Sequence, residues 1–229
     1  MKKYVYFILL MILAGFVSCS EEETIYSCNE QTNEWVKEHL STIRNMSRQQ
    51  WKSLPQSKKT AVFRAFTQNQ RLNFWKDKLK ETLNLKWTDA EKQHILQLYN
   101  FVVNNSDVFT DKEMSEDVQD KYDLFFYEWT TYAEEQLGWD MKTLVSIAGS
   151  GEEMLDKSGK LNVKRRIGEI DHKDPIGPDR ETCHCNQKYD FCGVPFMNAD
   201  CVDTGCSGTS VGCGWLLASS CDGRCDNIY

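Results

Sequence analysis

Eight of the chain's ten cysteines crowd between Cys183 and the last residue, Tyr229: Cys183, Cys185, Cys192, Cys201, Cys206, Cys213, Cys221 and Cys225. Sulfur at that density either closes disulfides or holds a soft metal such as zinc. Zinc sites favour close C-x2-C pairs. The close pairs here are Cys183-His184-Cys185 and Cys221-x3-Cys225, and the other four cysteines are scattered. His184, flanked by two cysteines, is the residue a metal site would recruit; its plainer reading is an exposed polar spacer. Disulfides are the preferred reading, and no metal or cofactor site is expected. A segment this short, rich in glycine and turn residues, buries too little apolar surface to offset its chain entropy. Staples of ~2–4 kcal/mol each supply the difference. Eight cysteines allow 105 connectivities, so the bond pattern stays open.

The order of these residues carries a resemblance. A C-x-C start is followed by Tyr189-Asp190-Phe191-Cys192, Cys201 and Cys206. Gly212-Cys213-Gly214-Trp215, Cys221, Cys225 and the terminal Tyr229 complete it. This pattern resembles the bacteriocin fulvocin C-related proteins, in which such a module ends a longer lipoprotein-like chain. The likeness covers about the last fifth of the sequence. The Cys192–Cys206 spacing and the Cys221-x3-Cys225 step depart from fulvocin C. The resemblance implies a small cysteine-rich bacteriocin-like module.

The oxidising compartment that disulfides require is announced at the other end. Lys2-Lys3 precede an apolar run from Tyr4 to Val17, the length of a signal-peptide core and shorter than the ~20 residues of a membrane span. Phe16-Val17-Ser18-Cys19 resembles the bacterial lipobox, which makes residues 1–18 a signal peptide and Cys19 the lipid-attachment site. The following Ser20-Glu21-Glu22-Glu23 resembles the surface-export signal of Bacteroidota lipoproteins; read plainly, it is a solvated tether over residues 19–28. The expected location is therefore the outer membrane, surface-exposed, with the membrane reached through the lipid. Cys28 is then left over, a free thiol or a partner for another chain.

Between these ends, residues 29–148 read as an all-α helical bundle. Trp35, His39 and Ile43 recur at helical spacing, as do Val62, Phe63 and Phe66, and Leu72, Trp75, Leu79 and Leu83. Pro55 suits a helix first turn. Thr88-x-x-Glu91 is a capping-box pattern opening a helix with Ile95, Leu98, Tyr99 and Val102 on its apolar face. Met114 through Trp129 mark a longer helix ending near Leu137-Gly138, and Asp140 caps a last short one. His39 is expected at the core edge and His94 on the surface. No catalytic fingerprint is visible, so an enzyme is not expected.

Residues 149–182 change in composition. Gly149-Ser150-Gly151, the basic Lys164-Arg165-Arg166 and Pro175-Ile176-Gly177-Pro178 predict a flexible linker, with Arg165 and Arg166 as the candidate cleavage site. The fold class expected overall is mainly α: a helical bundle, a linker, and a disulfide-rich module over 183–229. The chain's net charge of −7 argues against nucleic acid as a partner. The module is itself acidic, so an anionic membrane would repel it. Its candidate contact residues are Phe196, Trp215 and Leu216, although Trp215-Leu216-Leu217 also reads as a miniature core.

Two functions follow as expectations. One is an exported lipoprotein whose module inhibits or kills related bacteria, with a receptor or envelope target on competitors, an immunity protein as partner, and release of the module. The other is a non-toxic envelope lipoprotein whose module binds a protein or glycan.

Overall fold

The computed structural model describes residues 24–27, 29–110, 114–163, 185–192, 199–203 and 209–227. Among the described residues, eight α-helices come first: α1 (Glu30–Glu38), α2 (Leu40–Ile43), α3 (Arg48–Lys52), α4 (Gln56–Ala65), α5 (Gln68–Leu83), α6 (Asp89–Asn104), α7 (Glu116–Leu137) and α8 (Met141–Ala148). Four short strands follow, β1 (Ala199–Asp203), β2 (Thr209–Cys213), β3 (Ser219–Cys221) and β4 (Gly223–Asn227). The chain is thus mainly α with a disulfide-bonded C-terminal module. No helix among the described residues is long and apolar enough to cross a membrane.

Local chemistry sets the helix ends. The Thr88–Glu91 capping box forms as its sequence predicts: the Thr88 N–H donates to Glu91 Oε2 at 2.6 Å and the Glu91 N–H to Thr88 Oγ1 at 3.3 Å. Ser47 with Gln50 and Thr67 with Gln70 cap α3 and α5 in the same way. Pro55 precedes α4 as its cap residue, and Asp140 caps α8 by accepting from the Thr143 N–H at 2.8 Å. Gly138 closes α7 in the left-handed conformation, φ +67°, which costs a residue without Cβ little. One expected face breaks: the helix turns at His39, whose Nδ1 donates to the Trp35 carbonyl at 2.8 Å while its ring stacks on Trp35. Trp35, His39 and Ile43 are therefore split between α1 and α2.

One apolar cluster runs through the body. Phe63, Phe66, Phe74, Trp75, Leu79, Ile95, Phe109, Tyr122 and Phe126 are all buried in it. His94, expected on the surface, is buried there too. Its ring lies parallel to Trp129 at 4.9 Å, and its Nε2 donates to the Trp129 carbonyl at 2.9 Å. Three aromatic residues, Trp129, Tyr132 and Trp139, crowd around this imidazole and exclude water from it.

The start of the expected linker is not loose. Residues 149–163 fold back on the helices as a small loop closed by a Met154–Leu161 bridge, with Met154 buried. The Ser146 hydroxyl donates to the Gly159 carbonyl at 2.8 Å and Leu155 N–H to the Lys160 carbonyl at 2.7 Å. Gly151 sits so close to Phe74 and Trp51 that a Cβ would lie 2.5 Å from Phe74 Cζ. Composition misled here because glycine marks both hinges and close backbone approaches.

In the module, β1 pairs antiparallel with β4 so that Cys201 faces Cys225, and β2 pairs antiparallel with β3. Among the described residues, three disulfides tie it together: Cys185–Cys201, Cys192–Cys225 and Cys213–Cys221. Six of the eight cysteines predicted to pair are thereby assigned. Cys183 and Cys206 lie outside the described residues, as do Cys19, Cys28, Arg165, Arg166 and Phe196.

Candidate functional site

The seam between helical body and module carries several buried polar contacts. It begins with α7. Tyr122 donates its hydroxyl to the Trp215 carbonyl, and one turn on, Phe126 stacks face to face on the Trp215 ring at 5.3 Å. Phe191 closes over the other side of that indole, edge-on at 4.5 Å. Asp123, between them in sequence, takes both Lys188 and the Tyr189 hydroxyl. Burial of Asp123 opposes its ionisation, but the Lys188 ammonium and the Tyr189 hydroxyl outweigh that and hold the carboxyl below its usual range.

A second set of contacts comes from α4. Arg64 is buried, and its guanidinium donates to the Val211 carbonyl at 3.1 Å, to the Tyr26 carbonyl at 3.2 Å and to Cys221 Sγ at 3.0 Å. A planar fork of donors reaches two carbonyls and a sulfur at once. Gly212, at φ +118°, lets the module's backbone come this close; a Cβ there would lie 2.7 Å from Arg64 Nε.

Trp215 and Leu216, expected as outward contacts, are therefore part of the body's own core. Leu216 is completely buried and Trp215 is 5% exposed. The alternative of a private miniature core also fails, since these residues share one cluster with α7 and α8. Leu216 takes φ +54°, a left-handed conformation that costs a side chain about 1–2 kcal/mol. Its burial offsets that strain.

Between body and module lies a cleft of about 230 Å³, lined by Trp51, Lys59 and Thr60, by Gly149–Glu152, and by Asn186, Tyr189 and Phe191 of the module. That is below the ~300 Å³ at which pockets for drug-sized ligands begin. Its floor is ionic. Lys59 Nζ meets Glu152 Oε1 at 2.6 Å, and both side chains are 6% exposed. The Lys59 ammonium also sits 4.9 Å from the Trp51 ring, whose Nε1 donates to the Lys59 carbonyl at 2.8 Å.

Behind this pair is a further layer. Lys78 is fully buried and donates to the Glu152 carbonyl. Arg48 donates to the Gly151 carbonyl at 2.9 Å and pairs with Glu81 at 2.7 Å, and Lys52 pairs with the other Glu81 oxygen at 2.6 Å. Loss of water and the Arg48 charge push the Lys78 amine down to about 7, against weaker support from Glu81 and Glu152. An amine of that kind is a competent nucleophile when a substrate can reach it. Lys78 does not line the cleft; its amine donates to the Glu152 carbonyl, so its chemistry here is to hold the 149–163 loop.

None of these buried charges was singled out by the sequence. A signal was present: Arg71, Trp75, Lys78 and Thr82 stand at i, i+4, i+7 and i+11 on α5, basic residues in register with a buried stripe. His39 is half-buried at the core edge as its position predicts. Comparison with protein-family models, with characterised protein sequences and with solved structures finds no match for this chain.

Proposed function

We propose that the chain is an exported, lipid-anchored carrier of a disulfide-stapled, bacteriocin-like module that inhibits related bacteria. One observation carries this reading. The module has the sulfur cross-links of a secreted peptide, while its most apolar residues, Trp215 and Leu216, are sheathed by the helical body. Stored in that way, the Trp215–Leu216 pair is withheld from any membrane or target. Loosening its seat exposes the Trp215–Leu217 segment, which then engages an envelope target on a competitor. Cys19 supplies the lipid anchor, and an immunity protein in the producer meets the same segment. The test compares the oxidised mature chain with its Tyr122→Phe/Phe126→Ala variant on lawns of related bacteria. The variant is expected to inhibit more strongly. Lack of inhibition by either, with disulfides verified by mass, removes the reading.

A second reading draws on a different observation. Because Trp215 and Leu216 complete the body's core, module and body form one unit with a cleft at their seam. That arrangement favours a non-toxic envelope lipoprotein whose module binds a protein or glycan. Cross-linking in intact envelopes distinguishes the two: a single host partner without effect on competitors selects the second.

A further inference from the structure

Two of the module's disulfides, Cys185–Cys201 and Cys192–Cys225, pack against each other. Cys201 and Cys225 are direct cross-strand partners in the β1–β4 ladder, so their side chains leave the same face of it. Neither bonds the other. Cys201 is joined to Cys185 and Cys225 to Cys192, both from the segment just before the sheet. The sulfurs of Cys185, Cys192 and Cys201 lie within 4.8 Å of one another, and Cys225 joins them through its bond to Cys192. A tetrahedral zinc with Zn–S bonds of about 2.3 Å needs its sulfurs ~3.8 Å apart. Hydrogen bonds also hold the backbone around the cluster. The Asp190 carboxylate accepts from both the Cys192 N–H, at 2.8 Å, and the Cys201 N–H, at 2.7 Å. The Cys185 carbonyl accepts from the N–H groups of Asp222 and Gly223 at 3.0 and 3.1 Å. Gly223 itself packs its backbone against the sulfurs, where a Cβ would lie 2.6 Å from Cys201 Sγ.

We infer that these four cysteines form a second, metal-binding state: when the disulfides are reduced, Cys185, Cys192, Cys201 and Cys225 hold a thiophilic divalent cation, zinc by preference, as a tetrathiolate. Four soft thiolates select zinc over hard cations such as magnesium or calcium. Linear spacing hides the site, because six residues separate Cys185 from Cys192 and the other two ligands come from paired strands. Reduction by a phosphine balances simply. Each S–S bond accepts an electron pair; the phosphine leaves as its oxide with the oxygen of a water molecule, and the protons of that water end on the two sulfurs. Zinc then displaces the thiol protons as its four Zn–S bonds form. Cys201 and Cys225 are only half-buried, which gives the reductant access. This inference is independent of whether the module is a toxin or a binder.

The test uses the full mature chain, purified oxidised, reduced with a phosphine and titrated with Zn²⁺ or Co²⁺ alone. Native mass spectrometry is expected to show one zinc per chain, and the cobalt form the thiolate charge-transfer and visible bands of a tetrahedral S4 site. Cys192→Ser is expected to weaken zinc binding at least about ten-fold. Cys213→Ser/Cys221→Ser, which removes sulfurs outside the cluster, is expected to leave it unchanged. Near-UV circular dichroism follows the fold throughout. Zinc uptake equal in wild type and Cys192→Ser overturns the proposal. So does a cobalt spectrum without thiolate bands, or a reduced chain whose module zinc does not restore.

Discussion

Lys78 is a lysine whose charge the fold opposes. Its folded-state value of about 7 lies below the 10.5 of an exposed lysine, so between those values the unfolded chain holds the extra proton. Stability therefore rises with pH across that window, and below pH 7 the full penalty of the buried ammonium is present. At ~1.4 kcal/mol per pH unit the effect amounts to a few kcal/mol. Urea unfolding at pH 6.5 and pH 9.5 is expected to show it, and Lys78→Met is expected to flatten the dependence. A flat wild-type profile contradicts the assignment. His94 acts in the same sense at lower pH: burial depresses its protonation, with partial relief from the Trp129 carbonyl, so stability falls as pH drops below the ordinary histidine value of 6.5. Neither effect could be read from residue types alone. Lysine in a helix ordinarily signals solvent, and only the register of Lys78 with Arg71 and Trp75 hinted otherwise.

At the scale of elements, capping and cross-linking yield separate expectations. Thr88→Ala removes a cap hydrogen bond from α6 and is expected to cost about 1 kcal/mol, measured by thermal unfolding. The disulfides should not be equal. Cys192–Cys225 closes a separation of 33 residues and Cys213–Cys221 one of 8. Loop entropy then makes loss of the former costlier by ~1 kcal/mol, to be read from denaturation of the two double-serine variants. These elements were largely legible in advance. Helix faces, the Thr88–Glu91 box, the α7 stop at Gly138 and the stapled nature of the tail all rest on local pattern, which sequence carries well. The partners of the cysteines and the fold-back of residues 149–163 rest on tertiary contacts that spacing does not encode. The candidate site was almost wholly illegible for that reason, since Lys59 meets Glu152 across 93 positions and Arg64 meets Val211 across 147.

For the molecule as a whole, one shared core means one cooperative unit. Trp215→Ala opens a cavity against Phe126 and Phe191 and is expected to cost about 3–5 kcal/mol. The loss should appear equally in far-UV helix signal and in near-UV aromatic signal, with coincident transitions. A module that melts ahead of the helices in the wild type contradicts the shared core.

Arg64 has a mechanical consequence. Its one guanidinium grips the carbonyl of Tyr26, at the entrance to the helices, together with two points on the module. A pull applied to the chain upstream of Tyr26 thus reaches the cysteine-rich end through a single rigid fork, bypassing the long path of helices between them. Tension at the entrance is shared between that joint and the Asn33 side chain that accepts from the Tyr26 N–H, which makes α4 a fulcrum between the two ends of the polypeptide.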